Sequence, residues 1–126
     1  MLRELRQRAT DVLGSARHVV LSTWGPADVQ VESLPCEAVG LALYVLVPRT
    51  SDLLFNLESR TLVVATADSW QARGAARLLS PHEYPDGLST AGTPAAAWSE
   101  LVEILPTRVQ LSPKRGQAQG ETIYIW

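Results

Sequence analysis

One short run of the sequence combines a positive charge with two hydroxyl groups. Arg49, Thr50 and Ser51 follow an almost wholly apolar segment that is closed by Pro48. A phosphate in a partly buried cleft needs arginine side chains and hydroxyl or backbone N–H donors. The three side chains, with the backbone N–H groups of a helix beginning after Ser51, offer that combination. Arg73, just before a glycine, is a further candidate for the same anion.

Each of these residues also has a purely structural interpretation. Asp52 places a carboxylate beside Ser51, where it would repel a phosphate but would suit the first turn of a helix. Thr50 or Ser51 can simply cap that helix. Arg73 and Arg77 occupy alternate positions of a predicted strand, and solvated charges there would protect a sheet edge. Both interpretations stay open at the level of sequence.

Three tryptophans could stack on a planar ring, namely Trp70, Trp98 and Trp126. In so short a chain, aromatic side chains more often pack in the core or at a contact between subunits. Tyr44 lies inside the apolar segment Leu41–Val47, so we expect it in the core.

Few side chains are available for other kinds of chemistry. Cys36 is the only cysteine, and the two histidines, His18 and His82, stand far apart in the chain. Neither a disulfide within the chain nor a metal site is therefore expected. The sequence has no Gly-x-Ser-x-Gly motif of a hydrolase. The net charge of −2 argues against nucleic acid as a partner. We assign no catalytic residue.

The candidate residues lie among one longer helix and a series of short strands. Apolar residues at helical spacing predict a helix that stops at Gly14. Pro35 is expected to end the second strand, and Pro106 to force a bulge or an edge position. The predicted strands are His18–Thr23, Asp28–Leu34, Leu41–Val47, Thr61–Ala67, Arg73–Leu79, Leu101–Leu111 and Thr122–Trp126, with short helices at Ser51–Leu57 and Pro94–Trp98 and a loop over Ser80–Thr93.

Short strands with few helices indicate a mainly β fold with minor α, a barrel or a sandwich. The 126 residues are expected to form a single domain, 1–126, and the 46% of apolar residues supply its core. No apolar run approaches the roughly 20 residues that cross a bilayer. The first residues lack the apolar middle of a signal peptide. A cytoplasmic protein is therefore expected.

The order of these elements resembles the pyridoxamine 5'-phosphate oxidase-like family of FMN-binding split β-barrels over nearly the whole chain. The matching segments are Val20–Thr23, Leu43–Val47, Thr50–Ser51, Asn56–Leu57, Thr61–Val64, Trp70 with Gly74–Ala76, and Trp98–Ile104 with Pro106 and Arg108. The resemblance implies a split β-barrel with a few short helices that forms a homodimer. It also implies that flavin mononucleotide (FMN) lies in clefts between the subunits.

The resemblance further implies a set of cofactor-binding residues. These are Arg49, Thr50, Ser51, Trp70, Arg73 and Trp126. The chain departs from the family two residues after the loop serine, where Leu53 replaces a common lysine. Phe55 stands where a further basic residue is frequent, and Asp52 adds a negative charge. These departures favour an alternative in which the barrel binds no flavin.

We expect an FMN-binding protein, an oxidoreductase for a small organic substrate, in which the cofactor carries the redox step. A deazaflavin would occupy the same cleft. The alternative is a flavin-free split-barrel dimer that binds another ligand or a protein partner. Pyridoxamine phosphate is not expected as the substrate, because the chain lacks the family's arginine- and histidine-bearing C-terminal segment. A homodimer is expected in either case, since an apolar strand near the edge of a small barrel needs extra burial.

Overall fold

Seven strands, two helices and three short 3-10 turns make up the part of the chain that the computed structural model describes, residues 2–113, 115–116 and 118–125. In chain order they are α1 (Leu2–Gly14), β1 (His18–Thr23), β2 (Gln30–Val39), β3 (Ala42–Pro48), α2 (Asp52–Ser59), β4 (Leu62–Thr66), β5 (Trp70–Leu79), the 3-10 turns Pro81–Glu83, Thr90–Gly92 and Pro94–Trp98, β6 (Ser99–Leu111) and β7 (Glu121–Tyr124).

The strands close into a barrel. Neighbouring strands are antiparallel in the order β3-β2-β1-β4-β5-β6-β7. β3 also pairs with β6, from Leu43 opposite Ile104 to Pro48 opposite Ser99. This pairing joins the two ends of a six-stranded sheet, so that no edge remains among those six strands. The predicted mainly β class and split β-barrel with a few short helices are confirmed.

Helix α1 packs on the barrel through its apolar stripe. Ala9 and Leu13 are fully buried in the main core. Arg8 forms an ion pair with Glu121 at the start of β7, with 2.8 Å between Nη1 and Oε1. The helix is thus joined to the last described strand. Within the described ranges, no helix has the length and apolarity needed to cross a membrane.

The prediction that Pro35 ends the second strand is wrong. β2 continues through Pro35 to Val39. Residues 30–35 pair with β1, and from Cys36 onwards the strand pairs with β3. Proline has no backbone N–H to donate, and here it stands where the strand exchanges one partner for the other. That exchange is what turns β2 around the corner of the barrel.

The interpretation of Arg73 and Arg77 as protection for a sheet edge is also wrong. β5 begins at Trp70, three residues before the predicted start. It lies between β4 and β6 and pairs with both. The two arginines therefore project from the outer face of a central strand. They are exposed, but the strand that carries them has no unpaired edge to protect.

β3 is buried on both faces because the same chain covers its outside. Leu43, Val45 and Val47 belong to the main core. Tyr44 and Leu46 belong to a second cluster that includes Leu88. Leu88 lies in the segment 80–98, here called the cover segment. Since β3 pairs with β2 and β6 and is covered from outside, its apolar character gives no argument for a dimer; the dimer itself stays a prediction.

Two carboxylates fasten the cover segment to the barrel. Glu37 on β2 accepts hydrogen bonds from the backbone N–H groups of Ser89 (3.2 Å) and Thr90 (3.0 Å). Glu83 accepts one from Arg77 of β5, at 2.7 Å between Oε2 and Nη1. The predicted loop at Ser80–Thr93 is therefore irregular but held at both ends.

Cys36 is a buried thiol of the main core. Burial raises its pKa to about 11, so the neutral form is favoured at physiological pH. Because the pKa of Cys36 is higher in the folded protein than in the unfolded chain, where it is near 9, the thiol contributes its full share of stability below pH 9. This contribution is lost as the pH rises from 9 towards 11. We expect wild-type protein to lose roughly 2–3 kcal/mol more unfolding free energy over that range than Cys36→Ala. Urea titrations at pH 8 and pH 11 test this, and equal losses in both proteins would contradict it.

Candidate ligand-binding cleft

The hydroxyl of Ser51 is fully engaged within the protein. Ser51 is the N-cap of α2, and its Oγ accepts a hydrogen bond from the backbone N–H of Leu53 at 3.1 Å. The same hydroxyl donates to Oε2 of Glu32 at 2.7 Å. The capping interpretation of Ser51 is therefore confirmed. Glu32, which the sequence did not single out, brings a carboxylate to the place proposed for a phosphate.

Arg49 is also engaged, at the other side of this loop. Its Nε donates to Oε1 of Glu100 at 3.2 Å, and Nη1 donates to the carbonyl of Ala97 at 3.0 Å. Thr50 is exposed. The guanidinium thus fastens the last 3-10 turn to the end of β3.

The loop after β3 does not fit a phosphate dianion. Glu32 and Asp52 place two carboxylates around Ser51, and like charges repel. Binding an anion through Ser51 and Arg49 would also break the Ser51–Glu32 hydrogen bond and the Arg49–Glu100 ion pair. The structure brings Arg49, Thr50 and Ser51 together as predicted, but the side chains of Arg49 and Ser51 are bonded within the protein.

Two of the predicted aromatic residues, Trp70 and Trp98, have different surroundings. Trp70 is 2% exposed and packs in the main core. Trp98, on the last 3-10 turn, is 75% exposed. Trp126 lies outside the described residues. Tyr44 is buried as predicted, and its hydroxyl donates to Glu103 at 3.0 Å.

Arg73 lines a groove on the outer face of the barrel. The groove has a volume of about 160 Å³ and is formed by Trp24, Arg60, Leu62, Val64 and Arg73. Val64 lies directly opposite Arg73 on the neighbouring strand. Arg60 ends α2 with an extended backbone, so the chain already runs as a strand there. The groove therefore combines two guanidinium groups, an indole ring and two aliphatic side chains.

No acidic side chain of the described residues pairs with the guanidinium groups of this groove. Among the described residues, neither Arg60 nor Arg73 has a hydrogen-bond or ion-pair partner for its side chain. Arg108 on β6 lies directly opposite Arg73, and like charges in that position destabilise a pair of strands. An anion bound in the groove would relieve this repulsion.

A larger cavity continues along the same strands. It measures about 540 Å³ and is lined by residues that include His18, Val20, Thr66 and Asp68. Val64 of the groove and Thr66 of this cavity are two residues apart on β4, so they share its outer face about 7 Å from each other. The groove and the cavity share no lining residue but are neighbours along β1 and β4, and the two together are here called the outer cleft. No three histidine, cysteine, aspartate or glutamate side chains within the described ranges gather as metal ligands.

Solved structures share this fold at low sequence identity. General stress protein 26 from Bacillus anthracis str. Sterne has a TM-score of 0.69 at 16% identity, over 97% of this chain and 99% of that chain. A Clostridium acetobutylicum protein related to general stress protein 26, of the pyridoxinephosphate oxidase family, has a TM-score of 0.70 at 10% identity, over 97% and 95%. A heme binding protein from Mycobacterium smegmatis has a TM-score of 0.72 at 14% identity, over 95% of this chain and 57% of that chain.

No protein-family model and no curated protein matches the sequence. The structural likeness establishes the fold, which is a split β-barrel of the pyridoxamine 5'-phosphate oxidase-like type. The resemblance noted in the sequence is confirmed at that level. The residues that form the outer cleft, and the chemistry they permit, are features of this chain itself.

Proposed function

We propose that this protein binds a flat, anionic cofactor of the flavin mononucleotide class in the outer cleft and serves as an oxidoreductase for a small organic substrate. The observation that carries the proposal is the pair of guanidinium groups of Arg60 and Arg73 beside Trp24. Arginine side chains are the preferred partners of phosphate groups. The loop after β3, which has carboxylates at Glu32 and Asp52, is not part of the proposed site.

The two parts of the cleft suit the two parts of such a cofactor. The groove at Arg60 and Arg73 would hold the phosphate. The larger cavity has an apolar side at Val20 and polar groups at His18 and Asp68, which suits a ring with an apolar face and hydrogen-bonding edges. A bound flavin would supply the electron or hydride transfer, while the protein would position it and tune its electrostatics. A deazaflavin with a phosphate would satisfy the same groups.

The visible spectrum of the protein purified from a flavin-rich host tests this proposal. We expect absorption bands in the blue and near-ultraviolet, and apoprotein that binds FMN at micromolar concentration in a fluorescence titration. FMN should bind more tightly than riboflavin, because only FMN carries the phosphate that meets the two arginines. Colourless protein without binding at millimolar FMN would refute the proposal.

A flavin-free barrel that binds heme is the second candidate. It is favoured by His18, whose exposed imidazole lines the larger cavity, because a neutral imidazole is a common axial ligand of heme iron. The similar fold of the Mycobacterium smegmatis heme binding protein is consistent with it. A Soret band that His18→Ala abolishes would favour this candidate, and flavin bands without a Soret band would exclude it.

We infer that a second copy of the chain covers the outer cleft. Val20, Val31 and Leu62 are exposed on the outer face of β1, β2 and β4, and Val31 and Leu62 are each more than half exposed. Apolar patches of this kind usually meet a partner. We expect multi-angle light scattering at micromolar concentration to give twice the mass of the chain, with Val31→Lys shifting the protein towards monomer. A wild-type monomer at that concentration would refute the homodimer.

A further inference from the structure

A row of outer side chains continues from Arg73 across the barrel, beyond the groove. Arg73 of β5 lies opposite Arg108 of β6, and Arg108 lies opposite Tyr124 of β7. Ala72 and Val109, the next pair along the two strands of the arginines, are buried in the main core. Because successive side chains of a strand point to opposite faces, Arg73 and Arg108 both face outwards. The row therefore places two guanidinium groups side by side on the surface of the barrel.

The same two strands pair their other outer arginine with an acid. Arg77 lies opposite Glu103, and its Nε donates to Oε1 of that residue at 2.9 Å. The residue opposite Arg73 is instead Arg108, and like charges in directly opposed positions are destabilising. Among the described residues, no acidic side chain pairs with Arg108. The pair of Arg73 and Arg108 thus lacks the counter-charge that β6 supplies to Arg77.

The acidic residues of the surrounding strands are already engaged. β4 and β5 contain no aspartate or glutamate. The acids of β6 and β7 each pair with an arginine outside the row, namely Glu100 with Arg49, Glu103 with Arg77 and Glu121 with Arg8. Within the described ranges, the counter-charge for the two opposed arginines is therefore left to a bound anion.

The proposed phosphate groove accounts for only one side of Arg73. The groove is lined by Arg60 and Arg73 but not by Arg108. The Cα atoms of directly opposed residues such as Arg73 and Arg108 are about 5 Å apart. An anion confined to the groove would leave Arg108 without a partner. A second phosphate, attached directly to the first, would extend the anion towards Arg108.

The row ends at an aromatic side chain. Tyr124 is 51% exposed and lies two strands from Arg73, which corresponds to about 10 Å. The face of an aromatic ring is a platform on which a nucleobase can stack. The order along the row is thus arginine, arginine and aromatic ring, which matches a diphosphate followed by a nucleoside.

We propose that this row binds the diphosphate of a dinucleotide, so that the cofactor of the outer cleft is flavin adenine dinucleotide (FAD). This inference rests on the function proposed above, because the FMN part of FAD keeps the position given to it there. One phosphate meets Arg60 and Arg73, and the second meets Arg108. The adenine lies beside Tyr124.

Calorimetric titration of the apoprotein with FAD and with FMN tests the diphosphate site. We expect FAD to bind about tenfold more tightly than FMN, because only FAD brings a second phosphate to Arg108. Arg108→Met should lower the affinity for FAD about tenfold and keep that for FMN within about twofold. The variant should melt at the same or a higher temperature, since it removes the like charge opposite Arg73. Arg3→Met, which removes an exposed charge from α1, should keep the preference for FAD.

The outcomes separate this inference from the proposed function. If FMN binds and FAD binds no more tightly, or if Arg3→Met loses as much affinity for FAD as Arg108→Met, the diphosphate site is overturned and the FMN site stands. A protein that binds neither flavin would refute the proposed function, and ADP-ribose and AMP would then judge the diphosphate site. These two ligands each carry about two negative charges, but only ADP-ribose has two phosphates. Tighter binding of ADP-ribose than of AMP, lost in Arg108→Met, would support the site, and equal binding of the two would overturn it.

Discussion

Gly74→Ala is expected to lower the free energy of unfolding by about 3 kcal/mol or more. A Cβ at this position would collide with the backbone carbonyl oxygen of Leu105 and would lie 2.8 Å from Cα of Pro106. Backbone atoms of a paired strand cannot move aside as a side chain can. Strands β5 and β6 would have to separate at the point where their register already shifts.

The glycine is needed because the two strands approach closely at this shift. The pairing changes between Arg73 and Gly74, where Gly74 meets Pro106. Gly14→Ala is the matched control, since a Cβ there would have no other atom within 4 Å. Urea unfolding should therefore show a large loss for Gly74→Ala and little change for Gly14→Ala. Equal stability of the two variants would contradict this account of the bulge.

Asn56→Ala is expected to cost about 3 kcal/mol of unfolding free energy. The side chain is fully buried, and its amide bonds to three parts of the β1–β2 connection. Oδ1 accepts from the backbone N–H of Ala27 at 2.9 Å, and Nδ2 donates to Oγ1 of Thr23 at 3.1 Å and to the carbonyl of Asp28 at 2.8 Å. Alanine would leave these groups without partners and create a cavity.

The same variant should weaken ligand binding in the outer cleft. Trp24 stands in the connection that Asn56 holds, directly before Gly25, whose Cβ position lies 2.8 Å from Oδ1 of Asn56. Loss of the amide frees this connection and with it the indole ring. Glu58→Ala, an exposed change on the same helix, is the control for both measurements. Unfolding curves of Asn56→Ala and Glu58→Ala that coincide would contradict the role given to the amide.

The strands and helices of the barrel could be predicted from local sequence, whereas which strands pair with each other could not. The end of the apolar segment at Pro48 and the bulge at Pro106 could be predicted, because proline lacks a backbone N–H and so affects the strand at its own position. The prediction that Pro35 ends a strand is wrong because β2 changes its pairing partner from β1 to β3 at that residue. Which strands pair is determined by residues far away in the sequence. The prediction that the strand of Arg73 and Arg77 lies at a sheet edge is wrong for the same reason.

The candidate site was only partly predictable. Arg73 was found from its place before Gly74, but the partner of Ser51, Glu32, stands nineteen residues earlier on another strand. Trp24 and Arg60 were missed because the barrel brings them to Arg73 only when β1, β4 and β5 are aligned. One signal was present, since Arg60 precedes Leu62 and Val64 at the spacing of two that places strand residues on one face.

The most direct test of the proposed site is an FMN titration of three apoproteins: wild type, Arg73→Met and Arg49→Met. Methionine keeps the apolar length of arginine and removes its charge. We predict that Arg73→Met weakens FMN binding at least about tenfold, since a hydrogen bond to a charged group contributes about 1.5–3 kcal/mol. Arg49→Met, in the loop whose charges are internally paired, should bind like wild type. The reverse result, with binding lost in Arg49→Met and kept in Arg73→Met, would place the phosphate in the loop after β3 and contradict the outer cleft.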